Sequence, residues 1–176
     1  MSVSYSSIIE SVRNICPELN VYEFREQYTL TIPIEKLVEV CSFLRDNEMT
    51  SFDMLSDVTA IDRLRQKDRF EIVYFLYSNK NKSRLRLKVI LQEHNPVCPT
   101  ITGIWESANW YERETFDMYG IKFEGHPDLR RFYMPEDYVD PASGENIYPL
   151  RKDFPLMGIP GSLPLPPYPE KYGDPK

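Results

Sequence analysis

The hydrophobic and polar positions of the chain fall into segments of two periods. Residues 4 to 16 follow helical spacing, with Ile8, Ile9, Val12 and Ile15 on one face, and Pro17 ends the run. Asn20 to Arg25 and Tyr28 to Ile32 read as two short strands turning at Glu26-Gln27. In the second, Tyr28, Leu30 and Ile32 alternate with Thr29 and Thr31, the period of a half-buried strand. Pro33 suits the start of another helix, whose apolar stripe Leu37, Val40, Cys41 and Leu44 ends near Asp46-Asn47. Three strands follow. Phe52 to Ile61 is the least regular, and Phe70 to Tyr77 is a run of aromatic, β-branched and aliphatic residues. After a hairpin turn over Ser78 to Lys82, Leu85, Leu87, Val89 and Leu91 alternate with mostly basic positions. A last helix begins near Asn109 and stops at Gly120.

This order, without strict βαβ repetition, predicts an α+β fold. It is a two-layer sandwich, α-β(2)-α-β(3)-α, with helices over one face of a mixed, largely antiparallel sheet. The texture changes after Gly125, since 11 of the 15 prolines lie at or beyond Pro127. Regular helices and central strands are nearly excluded there. The expected organisation is therefore an α+β domain over residues 1–125 and an extended proline-rich interaction tail over 126–176. The run Leu163 to Pro169 is polyproline-like with apolar side chains. Laying such a run along a partner costs little further entropy, because proline has already restricted it.

Composition narrows the function classes. At 176 residues the chain is long enough for one domain with a core. A net charge of −6 argues against nucleic-acid binding. Lys80, Lys82, Arg84, Arg86 and Lys88 alternate with other residues and read as the solvent face of a strand. Aromatics at 13% are in excess, which suits partner surface as well as core. Cys16, Cys41 and Cys98 form no C-x-x-C pair, so reduced thiols are expected and a cluster held by this chain is not. There is no apolar run of about 18 residues, so no membrane-spanning helix is expected and any membrane link must run through a partner. Gly103, Gly120 and Gly125 fit no phosphate-binding spacing and read as cap and turn glycines.

The densest chemistry lies in Trp110 to Arg131, WYERETFDMYGIKFEGHPDLRR. Asn109 suits an N-cap and Glu112 the acid of a capping box three residues on. A helix that is both charged and aromatic is expected to be buried against a partner. Glu112 and Glu114 could be read as paired catalytic carboxylates, yet on a helix they point about 200° apart and cannot converge on one bond. The favoured reading is ion pairing: Glu112, Arg113 and Glu114 each meet an opposite charge, and Asp117 holds Arg113 or Arg130. His126, with only His94 as a second histidine and no companion ligands, reads as part of a turn locked by side-chain hydrogen bonds. Cys98 reads as a passive thiol.

Glu112-Arg113-Glu114, then Asp117 to Ile121, resembles the signature of the C subunit (the 30-kDa subunit family) of the proton-pumping NADH–quinone oxidoreductases, respiratory complex I. Phe123 to Arg131, Met134 to Asp137, Pro149 to Pro155, Ser56 to Asp62 and Trp105 to Trp110 resemble that family too, so the similarity covers roughly residues 30 to 157. Several motifs in fixed order are more specific than one short pattern. The chain departs from the family pattern at Tyr138 to Tyr148, an inserted surface turn around Asp140-Pro141-Ala142-Ser143-Gly144, with Tyr148 where a histidine is usual.

The resemblance implies the same sandwich and a component of the peripheral arm with no catalytic, cofactor or metal site of its own. FMN and iron–sulfur clusters would belong to partner subunits. The chain would dock the quinone-binding D subunit to the B, I and G subunits at the cytoplasmic face of a bacterial inner membrane. The residues expected to carry the interface are Trp110, Glu112, Arg113, Glu114, Asp117, Gly120, His126, Asp128, Arg130, Arg131, Arg151, Lys152 and Asp153. One alternative is the equivalent component of a membrane-bound hydrogenase or formate hydrogenlyase. Another is a free-standing enzyme using Glu112, Glu114 and His126.

Overall fold

The computed structural model describes residues 4–64, 67–141 and 143–155. The run Leu163 to Pro169 lies outside the described residues. The elements are α1 (Tyr5–Ile15), β1 (Asn20–Phe24), β2 (Gln27–Thr31), a 3-10 turn (Ile34–Lys36) leading into α2 (Leu37–Asp46), β3 (Met54–Asp62), β4 (Phe70–Ser78), β5 (Ser83–Leu91), β6 (Val97–Pro99), α3 (Ala108–Tyr119) and β7 (Lys122–Glu124). Five strands form one sheet in the order β1-β2-β5-β4-β3. Every neighbouring pair is antiparallel except β2–β5. The expected α+β class and largely antiparallel mixed sheet are therefore observed.

One face of the sheet builds the core. Leu30, Val58, Ala60, Ile72, Tyr74, Leu76, Leu85, Leu87 and Val89 point the same way and are buried. They join Ile8 and Val12 of α1 and Leu37, Val40, Cys41 and Leu44 of α2 in one cluster. The other face is more polar. There Glu71 of β4 takes Lys88 of β5 at 2.7 Å and Arg63 at 3.1 Å. Neighbours of opposite charge on adjacent strands pair on this face, beside the buried Val73.

The third helix lies beside the edge strand β3. The Thr115 hydroxyl donates to the Val58 carbonyl at 3.1 Å, and Ser107 donates to the Leu55 carbonyl at 3.3 Å. Trp105 anchors the approach to the helix, its indole N–H donating to the Phe52 carbonyl at 3.1 Å. An exposed edge would invite a foreign strand, and α3 covers this one. The irregularity read in the third strand is a bulge between Leu55 and Asp57.

Several boundaries moved for local reasons. The first hairpin turns at Arg25-Glu26, one residue early, because Phe24 pairs with Gln27. Both turn residues have positive φ, 50° and 62°, as a two-residue hairpin matched to strand twist demands. Strands β6 and β7 were not visible in the sequence. They form a separate parallel pair joining segments on either side of α3, and Val97–Pro99 between prolines reads locally as a loop.

The Arg25-Glu26 turn yields a prediction. L residues in the left-handed region are strained, and Asn-Gly is the preferred pair for this geometry. Replacing Arg25→Asn and Glu26→Gly together raises unfolding free energy by about 1 kcal/mol. Urea unfolding of the full chain reads this, and an unchanged midpoint would contradict the strain.

Candidate functional site

The signature helix starts at Ala108, with Ser107 at the cap and no side-chain capping bond. The expected capping box from Asn109 to Glu112 is not formed. The reason is that tight turns run straight into the helix. Ala108 N–H reaches the Trp105 carbonyl at 3.0 Å and Asn109 N–H the Glu106 carbonyl at 3.2 Å, so early donors are already satisfied. Glu112 is thereby free to point inward.

Glu112 is fully buried and is held by the β6 side of the domain. Its carboxylate accepts the Ile101 N–H at 2.8 Å and the Thr100 hydroxyl. Burial pushes its pKa up to about 7, against the opposing pull of those two bonds. The His126 ring lies 4.0 Å away and its side chain is also sealed from solvent. His126 Nδ1 accepts the Asp128 N–H at 3.0 Å, which leaves Nε2–H to donate to the Asn109 carbonyl at 3.1 Å. Burial holds this histidine below its ordinary value, so at neutral pH it contributes a hydrogen-bonded neutral ring and not a cation. The Gly-His-Pro-Asp stretch is thus the locked turn that the sequence suggested, and Glu112 meets no formal positive charge. A carboxyl sealed in this way has no path to a solvent-borne substrate.

Arg113 and Glu114 also depart from the expected ion pairing. The Arg113 guanidinium packs over the rings of Trp110 and Phe132, at 4.9 and 5.1 Å, and its Nε–H donates to the Arg130 carbonyl at 3.2 Å. Glu114 is half-buried at the other side of the helix, where burial and then the charge of Asp57 raise its pKa. Neither takes part in a salt bridge among the described residues.

Asp117 is the organising carboxylate. It is fully buried, and one oxygen accepts three consecutive backbone N–H groups, Phe132 at 3.2 Å, Tyr133 at 2.9 Å and Met134 at 2.9 Å. Its other oxygen faces Arg131 Nε at 3.6 Å. The charged partner is therefore Arg131, in place of the expected Arg113 or Arg130, because the loop after His126 folds back along the helix and brings Arg131 to it. Arg131 then donates to the carbonyls of Tyr138 and Ile147, at 3.1 and 3.0 Å. These bonds fasten the Tyr138–Tyr148 insertion, which folds as a small hairpin with a Val139–Asn146 bridge. Arg130 pairs with Asp128 at the surface.

The end of the helix is closed by residues 148–153. Gly120 adopts φ 73°, and a Cβ there would lie 2.5 Å from the Tyr148 ring. Only glycine suits both demands. Leu150 N–H caps the Met118 carbonyl at 3.1 Å, and Arg151 Nε–H caps that of Tyr119 at 2.6 Å. The Arg151 guanidinium stacks over Tyr148 and Phe70. Lys152 contributes its backbone N–H to Asp62 at 2.8 Å, and Asp153 reaches Arg69 at 2.7 Å.

Sequence reasoning missed Arg69. It is buried, pairs with Asp62 through two bonds of 2.9 Å, and reaches Glu93 at 2.7 Å besides Asp153. Burial alone would raise the Asp62 pKa, but Arg69 and the N–H groups of Lys152 and Leu64 hold it down at about 2. The signal on offer was an acid ending β3 and an arginine opening β4, which an antiparallel pair brings together. The three cysteines are buried, and burial pushes the Cys98 thiol up to about 12. Among the described residues no three His, Cys, Asp or Glu side chains converge as a metal site, and no helix is long and apolar enough to cross a membrane.

The two buried carboxylates can be tested separately. Asp117→Ala strands three N–H groups and one buried guanidinium, and destabilises the chain by about 3 kcal/mol. Hydrogen exchange should speed first at residues 132–134, and unchanged exchange there would contradict the role assigned to Asp117. Glu112 gives a pH dependence. Its folded pKa lies above its unfolded value, so its favourable contribution is complete below about 4.5 and lost as pH rises through about 7. Relative to Glu112→Gln, the protein as it stands should lose on the order of 3 kcal/mol across that window. Parallel curves of melting temperature against pH would refute it.

Residues 30–160 match the family described as the respiratory-chain NADH dehydrogenase 30 Kd subunit. The C subunit (form 2) of the NADH-quinone oxidoreductase of Rhizobium meliloti is 50% identical over 136 residues, covering 77% of this chain and 70% of that protein. The C subunit of the NADH-quinone oxidoreductase of Roseiflexus sp. is 43% identical over 158 residues, covering 89% and 87%. Among solved structures, the trypsin-resistant fragment (1-134) of Nqo5 aligns with a TM-score of 0.62 at 30% identity, over 71% of this chain and 98% of that one. A chain of the membrane-bound sulfane sulfur reductase, an archaeal respiratory membrane complex, aligns with a TM-score of 0.69 at 24% identity, over 87% and 86%, a likeness of fold alone. The resemblance read from the ordered motifs is borne out, and the chain belongs to the respiratory-chain NADH dehydrogenase 30 Kd subunit family.

Proposed function

We propose that the chain is the C subunit of an NADH–quinone oxidoreductase and that its work in that complex is to hold its neighbours in position. The observation that carries the reading is the extended identity with proteins named as that subunit, combined with what the signature residues do. Glu112 and Asp117 are sealed carboxylates that accept hydrogen bonds from the loops around them, and Asp117 orders a loop and a hairpin. Their chemistry shapes a surface instead of acting on a substrate. The face they shape carries Trp110, Asp128, Arg130 and Tyr133 to solvent. In this reading the neighbours are the D, B, I and G subunits, within a complex whose other components hold the FMN, iron–sulfur clusters and quinone, at the cytoplasmic face of the inner membrane. Electron transfer depends on cofactor spacing, so a protein that fixes spacing contributes without carrying an electron.

The residues from 126 to 155 lie against this chain's own α3 and the end of β3. Of the tail expected over 126–176, the part up to Pro155 therefore packs on its own domain, with Asp153 paired to Arg69, and the rest lies outside the described residues.

The test is a mild-detergent pull-down of the tagged chain from its native membranes. The expected result is recovery of flavin and iron–sulfur subunits with NADH–quinone activity. Trp110→Ala should lower the recovered complex by about tenfold while the turnover of each assembled complex stays unchanged. Recovery of a nickel protein with hydrogenase activity, or of a lone chain with turnover of its own, would overturn the proposal.

A further inference from the structure

Arg113 is electrostatically unusual within its helix. The residue is 5% exposed, yet the surrounding carboxylates are committed elsewhere. Glu112 accepts from Thr100 and Ile101, Asp117 takes the loop N–H groups on one oxygen and faces Arg131 with the other, and Asp128 accepts from Arg130. The Nε–H of Arg113 is used on the Arg130 carbonyl. Its guanidinium is otherwise held by the faces of Trp110 and Phe132, which attract a cation but do not neutralise it. The nearby His126 feels the charge of Arg113 in one direction and that of Asp128 in the other. Asp128 itself pairs with Arg130, and among the described residues Arg113 takes part in no salt bridge.

Around this buried cation the surface is aromatic and open. Trp110 is 58% and Tyr133 60% exposed, with Phe132 packed against both, at centroid distances of 5.6 and 4.1 Å. Trp, Tyr and Arg together are the composition of the energetic centre of protein interfaces. An apolar partner covering the patch would dry out a guanidinium and leave it without a counter-charge. A basic partner would be repelled. The chemistry that completes the site is a carboxylate, which a guanidinium fork receives with two parallel bonds.

We infer that Trp110, Arg113, Phe132 and Tyr133 form a socket for an aspartate or glutamate side chain of another subunit, carried on a segment with apolar neighbours. The carboxylate docks on the free edge of the Arg113 guanidinium, and Trp110 and Tyr133 close over the apolar flanks. This rests on the reading of the chain as part of an NADH–quinone oxidoreductase and names the anchor within it.

The experiment uses the assembled complex, purified with the full chain carrying Arg113→Lys and treated with a zero-length carbodiimide, which joins an amine to a carboxylate in contact with it. Mass spectrometry should find an amide bond from position 113 to an Asp or Glu of another subunit. A bond to Glu170 or Asp174 of the same chain would overturn the proposal by identifying an internal occupant. The unsubstituted complex supplies a second readout that does not depend on the variant assembling. The chain has two tryptophans, and Trp105 is 5% exposed. Oxidation by N-bromosuccinimide should modify Trp110 in the complex at a rate within about threefold of Trp105, as for a residue at the dry centre of an interface. Rapid oxidation of Trp110 in a complex with full NADH–quinone activity would sink the socket and leave the proposed function standing. Failure to recover any complex would sink both.

Discussion

The described segment that follows His126 depends on the contact between one carboxylate oxygen of Asp117 and the backbone N–H groups of Phe132, Tyr133 and Met134. A carboxylate buried without donors would be strongly disfavoured, and the three loop N–H groups supply donors to one of the two Asp117 oxygens. The arrangement brings Arg131 beside the same carboxylate, and Arg131 in turn holds the carbonyls of Tyr138 and Ile147. One helix position thus orders a loop and a hairpin that has little core of its own.

The other end of the helix uses the same logic with the charges exchanged. Arg69 sits between the acids Asp62, Glu93 and Asp153, and Arg151 covers the last carbonyls of α3. Two buried or nearly buried charge centres, one anionic and one cationic, therefore clasp the proline-rich segment to the domain. Such clasps specify geometry more than they add stability, since each ion gives up hydration to form them. For a protein whose proposed work is to hold neighbours at set positions, a well-defined surface is the functional product. Gly120 fits this account: it turns the chain with positive φ and leaves room for Tyr148 and Arg151 to close over the helix end.

How much of this was legible in the chain differs by level. The first two helices and the alternating strands came from periodicity, because burial against one face imposes a period of 2 or 3.6 on the sequence, while Phe70 to Tyr77 was read from residue type and the last helix from its cap and Gly120. The locked turn at His126 was also readable, since Asp128 and His126 are local partners. The pairing of Asp117 was not, because its candidates Arg113, Arg130 and Arg131 are equivalent until the loop path is known. The capping role assigned to Glu112 failed because the turns before Ala108 had already supplied the missing acceptors. For Arg69 only the Asp62 pairing had a local sign, in the antiparallel β3–β4 pair, as its other acids come from the segment after β5 and the segment after Tyr148.

The sequence by itself determined the class of fold, the segments, the order of the motifs and, through that order, the family. These depend on local spacing and on residue identity along the chain. The tertiary structure alone decided the parallel β2–β5 and β6–β7 pairings, which carboxylate meets which cation, and which signature side chains are sealed and which face solvent. Those outcomes depend on contacts between residues far apart in the chain, and a charge announces its sign in the sequence but not its partner. The same four letters Trp-Tyr-Glu-Arg place one ring at the surface, one carboxyl in the core and one guanidinium between aromatic faces, because a helix sends successive side chains in directions about 100° apart.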